Sequence, residues 1–284
     1  MANEDSTSER LNNQDFRRLA DFIQDNTGIR LPPSKKVLME GRLRRRVRAL
    51  GLDGMREYCQ YLFSPGGVRQ DEAIHFIDVM TTNKTDFFRE PNHFEFLVDH
   101  GVAELIATSS GYDRVLRIWS AACSIGAEPY TLAMVLEDLR RERGDFRFEI
   151  LATDISTEVL QKAALAIYSE DMIRPVPPEM RRRYMLRSKD RDRHQVRIAP
   201  EIRKLVRFGR VNLVQPPFNV PTGMDLIFCR NLLIYFDKAT QEKVLRHLCE
   251  HLRPGGYLII GHSESLAGIK LPVTAVASGV FLRS

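Results

Sequence analysis

Apolar residues recur at helical spacing through the first eighty positions. Between residues 15 and 24, Phe16, Leu19, Ala20 and Ile23 fall on one face, and Asn26-Thr27-Gly28 supplies a helix C-terminus. A second helix starts after Pro32-Pro33-Ser34, places Met39, Leu43, Val47 and Leu50 on its apolar side, and stops at Gly51. Two further helical stretches fall near 55–63 and 71–79, so residues 1–80 read as a small all-helical domain without an internal repeat. After Met80 the period changes. Short β-rich apolar runs at 115–119, 148–153, 206–211, 225–229 and 257–261 alternate with helical patterns at 128–141, 158–166 and 239–252. That alternation predicts an α/β domain over 81–284, doubly wound, with a parallel sheet covered by helices on both faces. Residues 274–277 and 280–282, separated by Ser278-Gly279, predict a terminal antiparallel strand pair at one edge. The polar stretch 169–204 is longer than an ordinary connection and reads as an inserted subdomain.

Composition narrows the class. With 43% hydrophobic and 28% charged residues in 284, the chain is neither disordered nor fibrous. No apolar run approaches the roughly 18 residues of a membrane span. The opening Met1-Ala2-Asn3-Glu4-Asp5-Ser6 is acidic and polar, so neither secretion nor membrane insertion is expected. Cys59, Cys123, Cys229 and Cys249 are far apart and contain no C-x-x-C pair, which argues against a disulfide framework or a thiolate zinc site and fits a reducing cytoplasm. The net charge of +5 is unevenly placed: residues 30–56 and 170–210 each carry +7, and the remainder is −9. Arg42, Arg44, Arg45, Arg46 and Arg48 have almost no acidic sequence neighbours, which predicts a face for an anionic macromolecule. Nucleic acid, acidic helices and anionic lipid all satisfy that sign.

In a doubly wound sheet, ligands bind beyond the carboxyl ends of the strands. The first strand runs into Ala121-Ala122-Cys123-Ser124-Ile125-Gly126, with Ala122 and Ser124 where a nucleotide loop would carry glycines, and Glu128 opens the next helix. The second ends in Asp154, which suits a ribose diol or, alternatively, a helix cap shared with Ser156 or Thr157. The third offers Asn212 and Leu213, a polar group and an apolar wall for an adenine ring, and the fourth ends in Arg230-Asn231 with Tyr235 close behind. The run from Thr81 to Glu90 is too rich in hydrogen-bonding groups for a plain linker.

Six stretches in order then resemble the chemotaxis receptor methyltransferases. They are Thr82-Asn83-x-Thr85-x-Phe87-Phe88-Arg89-Glu90, Trp119 to Ser124 with Gly126-x-Glu128-Pro129-Tyr130, and Ala152-Thr153-Asp154-Ile155. The others are Phe228 to Asn231 with Tyr235-Phe236, Leu252-x-Pro254-Gly255-Gly256, and Gly261-His262-Ser263-Glu264. The resemblance implies methyl transfer from S-adenosylmethionine, leaving S-adenosylhomocysteine, to glutamate carboxylates on the cytoplasmic domains of methyl-accepting chemoreceptors. It also implies that the insertion is a small β-subdomain. Cofactor contacts would fall to Asn83, Thr85, Arg89, Glu128, Asp154, Asn212, Leu213, Arg230 and Asn231, with Ala122 in the loop. Arg89 and Tyr235 would lie nearest the reacting methyl group, and Arg42, Arg45 and Arg46 would meet the receptor, in a domain separate from the pocket. The segment 187–195 departs from the family by lacking the glycines of members that dock on a receptor's C-terminal pentapeptide.

Rival readings are a nucleic-acid methyltransferase and a catalytically inactive cofactor-binding module. Cys229 ends the fourth strand as a cytosine-methylating nucleophile does, but Phe228 replaces the expected Pro, so it reads as a core residue. Gln215-Pro216-Pro217-Phe218 precedes the fourth strand instead of following it and reads as a loop. His247 and His251 are spaced for a metal but lack the H-E-x-x-H glutamate, so no metal is expected.

Overall fold

The computed structural model describes residues 10–64, 67–108, 115–144 and 146–284; the opening hexapeptide lies outside them. Helix α1 (Asn13–Thr27) begins where the Asn12 side chain accepts the Asp15 N–H at 2.7 Å and ends at Gly28, whose φ of 73° is left-handed. Gly28 also has no room for a side chain, because a Cβ there would lie 2.9 Å from Val214. Helices α2 (Lys36–Leu50), α3 (Met55–Leu62) and α4 (Gln70–Met80) close a core of Leu19, Ile23, Met39, Leu43, Leu62 and Phe76 against α1. This region is not purely helical. Strands β1 (Phe63–Ser64) and β2 (Gly67–Val68) form a short antiparallel pair. Phe63 leaves the helical path to set its ring edge-on to Phe22, centroids 5.8 Å apart, beneath the Arg18 guanidinium.

Another element escapes the periodicity. Helices α5 (Asn92–Phe96) and α6 (Val102–Ala107) are joined by a π-helical turn over Leu97–Gly101. The wider turn shifts the apolar phase, so that Phe94, Leu97, Val102 and Leu105 are all buried although they do not repeat at 3.6.

The α/β half is built on strands β3 (Val115–Ala121), β4 (Arg147–Asp154), β8 (Val206–Arg210), β9 (Met224–Cys229), β10 (Leu252–Ile260), β11 (Val273–Ala277) and β12 (Val280–Arg283), in the order β11-β12-β10-β9-β3-β4-β8. The five from β8 to β10 are parallel, and β12 enters antiparallel between β10 and β11, matching the expected terminal pair. Every residue of β9 is buried. Helices α7 (Ala127–Arg143), α8 (Thr157–Leu165) and α11 (Lys238–His251) follow β3, β4 and β9. Register brings the strand ends level, with Ala121 opposite both Thr153 and Cys229. Chain order reverses between β3 and β9, so loops from both open toward one crevice.

The insertion begins slightly earlier than the polar run suggested. Strands β5 (Ile167–Ser169), β6 (Met185–Arg187) and β7 (Gln195–Ile198) form an antiparallel sheet in the order β5-β7-β6, with helices α9 (Pro178–Tyr184) and α10 (Pro200–Arg203) at its flanks. Part of its basic charge is matched nearby, by Arg174 with Asp171, Arg193 with Asp190 and Arg183 with Asp138.

Candidate active site

The first loop shows why small residues follow β3. Ala122 and Ser124 take φ values of 62° and 52°, left-handed conformations that glycine adopts more cheaply, and Gly126 takes 92°. The conformation is held from outside. Cys123 N–H donates to the Thr153 carbonyl at 2.9 Å, Ser124 N–H to Asp154 Oδ2 at 2.8 Å, and the Ser124 hydroxyl to the Asn83 carbonyl at 2.8 Å. Asp154 Oδ1 accepts the Ser156 N–H at 3.0 Å. The cap of α8 is Ser156, whose hydroxyl accepts from Val159, while Asp78 of the helical domain binds the Thr157 N–H and hydroxyl at 2.8 and 2.7 Å. Asp154 is therefore left to face the cavity. Burial raises its carboxyl above the ordinary range, and the backbone donors only partly offset this.

Below the loop lies an ionic cluster. The Arg230 side chain, 2% exposed, pairs with Glu90 and with Glu128 at 3.0 Å each and donates to the Arg89 carbonyl. Glu128 accepts the Ser120 hydroxyl at 2.7 Å on its other oxygen; burial raises its carboxyl despite Arg230. Glu90 is partly buried, but donors from Asn231, Arg230 and the His262 N–H outweigh that cost and hold its carboxyl below the ordinary range. Ligand atoms of Glu90, His93 and His262 lie within 4.8 Å of one another, yet the Glu90 oxygen facing them already accepts from Arg230 and from the His262 amide. His247 and His251 bind Glu250 and the Pro221 carbonyl instead of converging. Burial pushes the Cys229 thiol well above its ordinary value, consistent with an inert core residue.

Loop, cluster and helical domain enclose a cavity of about 450 Å³. Asn83, Thr85, Arg89, Ala122, Glu128, Asp154, Asn212, Leu213, Arg230, Asn231 and Tyr235 all line it. Two of these residues also hold protein groups, and one expectation needs correcting. Arg230 spends its terminal nitrogens on protein acceptors, so it organises the acids around it. Asn212 uses both ends of its amide, donating to the Asn26 carbonyl at 2.6 Å and accepting from Val214 at 3.2 Å, and so ties the helical domain to the α/β one. The helical domain is also not separate from the pocket: Thr27, Ile29, Arg30, Leu31, Lys35, Leu38 and Arg42 form one wall. Gly28 carries the sequence signal for this contact, since the turn that ends α1 there packs against Val214 and Phe236.

The arginine-rich helix divides in the same way. Arg42 donates to the carbonyls of Met80 and Thr81 and to the Thr82 hydroxyl, bracing the segment that enters the site. Arg46 is fixed on buried Glu72, at 2.6 Å, which also accepts the Tyr58 hydroxyl at 2.8 Å. Its acidic partner stands 26 residues away and was invisible to a count of close neighbours. Arg45 is exposed. Reversal of Arg46 to Glu is expected to cost about 3 kcal/mol in urea unfolding, because it sets a second carboxylate against buried Glu72. Arg45→Glu should leave the unfolding midpoint in place; equal midpoints for both variants would show that the Glu72 pair contributes nothing.

Comparison with known proteins agrees with this geometry. The description "CheR methyltransferase, all-alpha domain" matches residues 14–81, and "CheR methyltransferase, SAM binding domain" matches residues 83–280. A chemotaxis protein methyltransferase of Salmonella typhimurium is 39% identical over 260 residues, covering 91% of this chain and 86% of that one. One from Escherichia coli is 38% identical over 275 residues, covering 96% and 92%. A probable chemotaxis protein methyltransferase of Rhizobium etli is 40% identical over 250 residues, covering 87% and 91%.

Proposed function

The chain belongs to the CheR methyltransferase family, and from that premise we propose that it esterifies glutamate side chains on the cytoplasmic helices of chemoreceptors, acting in the cytoplasm. The observation that carries the acceptor class is the charge of the cavity rim. Arg30, Lys35, Arg42, Lys84 and Arg89 stand there half-buried or exposed against the single acid Asp86, whereas Glu128 and the 7%-exposed Asp154 lie deep. Such a mouth attracts a carboxylate and disfavours a cationic acceptor. Among the described residues no helix is long and apolar enough to cross a membrane, so the receptor would be met from the aqueous side.

S-adenosylmethionine, when bound, supplies an electrophilic methyl on a sulfonium leaving group. The residues present fit it. Glu128 accepts from Ser120 and Arg230 and Asp154 from the Ser124, Ser156 and Ile155 amides, and a carboxylate offers about four acceptor sites, so both retain capacity for ligand donors. Asp154 would take the ribose hydroxyls, Glu128 the ammonium, and Arg89 the carboxylate of the methionine moiety. Leu213 would wall the adenine ring. The acceptor needs no general base, since a glutamate of pKa about 4.3 is already ionised at neutral pH. The bound cofactor would supply its methyl to one of the glutamate's oxygens, with the thioether of S-adenosylhomocysteine as the leaving group. The protein's contribution is alignment in a site with little water, worth several kcal/mol. In this reading residues 1–80 face the receptor, 81–284 carry the chemistry, and 169–204 is an accessory insertion.

Asp154→Ala is expected to weaken S-adenosylmethionine binding about tenfold or more by calorimetry, through loss of a charge-assisted bond worth roughly 1.5–3 kcal/mol. Circular dichroism should remain that of the folded protein, because Ser156 caps α8. The whole reading is tested by incubating the protein with labelled S-adenosylmethionine and receptor-containing membranes. Alkali-labile label on receptor bands is expected, as for a methyl ester; label that survives alkali, or that appears on nucleic acid, overturns it.

A further inference from the structure

Glu264 closes the Gly261-His262-Ser263-Glu264 stretch after β10 and is not among the residues lining the cavity. Its carboxylate turns back toward the neighbouring strand. Oε1 accepts the Leu233 N–H at 2.7 Å, and Oε2 accepts the Asn231 N–H at 2.9 Å and the Gly261 N–H at 2.7 Å. One side chain thus gathers the amides of the turn that leaves β9 and the amide that ends β10. The turn needs such an anchor. Asn231 sits at φ 57°, a left-handed conformation costing about 1 kcal/mol or more that persists only where surroundings impose it. Two residues beyond, a single 3-10 turn over Leu233–Tyr235 delivers Tyr235 to the cavity. Gly261 completes the fit, since a Cβ there would lie 2.6 Å from Asn231 Nδ2 and 2.9 Å from the Glu264 carboxylate.

We propose that Glu264 is a positioning residue for methyl transfer, its carboxylate templating the 231–235 turn and so setting where Tyr235 stands over the acceptor. The inference rests on the reading of Tyr235 as a residue of the reacting centre. A carboxylate is required because every group it meets is a donor. Glutamine must present its NH2 either to the Leu233 amide or to the two amides at the other oxygen, and neither orientation satisfies all three. Burial raises the Glu264 carboxyl above its ordinary range, and these backbone donors offset that only in part.

The test is a double-mutant cycle read in single-turnover methyl transfer at saturating S-adenosylmethionine, with wild type, Glu264→Gln, Tyr235→Phe and the pair. Glu264→Gln is expected to slow transfer about 10- to 100-fold, and the pair to be little slower than its slower single variant, because a misplaced hydroxyl has nothing left to lose. Slowing of the pair by the product of the two single effects overturns the proposal and leaves the role of Tyr235 standing. A Tyr235→Phe enzyme at the wild-type rate removes both. Glu264→Asp, which keeps the charge on a shorter arm, is carried through the same cycle in case the Gln variant does not fold. It should slow transfer less than Gln and show the same non-additivity, and a folded Asp variant with the wild-type rate overturns the proposal.

Discussion

Replacing Arg230 by Met is expected to destabilise the protein by about 3–5 kcal/mol in urea unfolding, the largest effect of any substitution in the site. The guanidinium is the counter-charge for Glu90, just before α5, and Glu128, in the first turn of α7, which are 15% and 12% exposed. Methionine fills much of the space against Phe94 and Phe228, over whose rings the guanidinium now lies at 5.7 and 5.8 Å, but leaves two carboxylates without a cation. Those carboxyls then gain protons on folding. With folded pKa values above the unfolded ones, their contribution is intact at low pH and is lost as pH rises through the folded values, so the deficit should grow from about pH 4.5 upward. Adding Glu90→Gln and Glu128→Gln should recover part of the loss, since it removes the uncompensated charges. An Arg230→Met protein as stable as wild type at pH 8 would show that the acids find other partners. Its S-adenosylmethionine affinity should fall as well, because Glu128 is no longer held where it can accept an ammonium.

Tyr235→Phe is expected to lower turnover roughly 10- to 1,000-fold while changing S-adenosylmethionine affinity little. Tyr235 is half-buried in the cavity wall contributed by the β9 loop, and Arg42 and Arg89 line the same cavity. Its hydroxyl suits an incoming carboxylate oxygen as a donor, and its ring excludes water whether or not the hydroxyl is present. Only alignment in the transition state is removed by the substitution. Arg89→Ala should behave differently, weakening cofactor binding and turnover together if the guanidinium grips the methionine carboxylate. Single-turnover rates at saturating S-adenosylmethionine separate the two. A Tyr235→Phe enzyme that transfers methyl at the wild-type rate excludes the hydroxyl from the mechanism.

What the sequence determined by itself was everything encoded over short spans. Helical spacing of Phe16, Leu19 and Ile23, the stop at Gly28, the runs that became β3, β4, β8, β9 and β10, and the small residues after Trp119 each follow from side-chain period or backbone sterics within about fifteen residues. Because ligands of a doubly wound sheet lie at the strand ends, that was enough to place Ala122, Asp154, Asn212 and Asn231 around one crevice. Where the local period is disturbed, as by the π-helical turn at Leu97–Gly101, or where an aromatic contact outweighs it, as at Phe63, sequence periodicity misleads. The tertiary structure alone decided which charges are spent. Arg46 meets Glu72 across 26 positions, Arg230 meets Glu128 across 102, and Asn212 meets the Asn26 carbonyl across 186. The physical reason is that a carboxylate or guanidinium has the same helix propensity and hydropathy whether it is solvated or paired in the interior. Its role is fixed by what packing brings within about 3 Å, and that depends on every element folding at once.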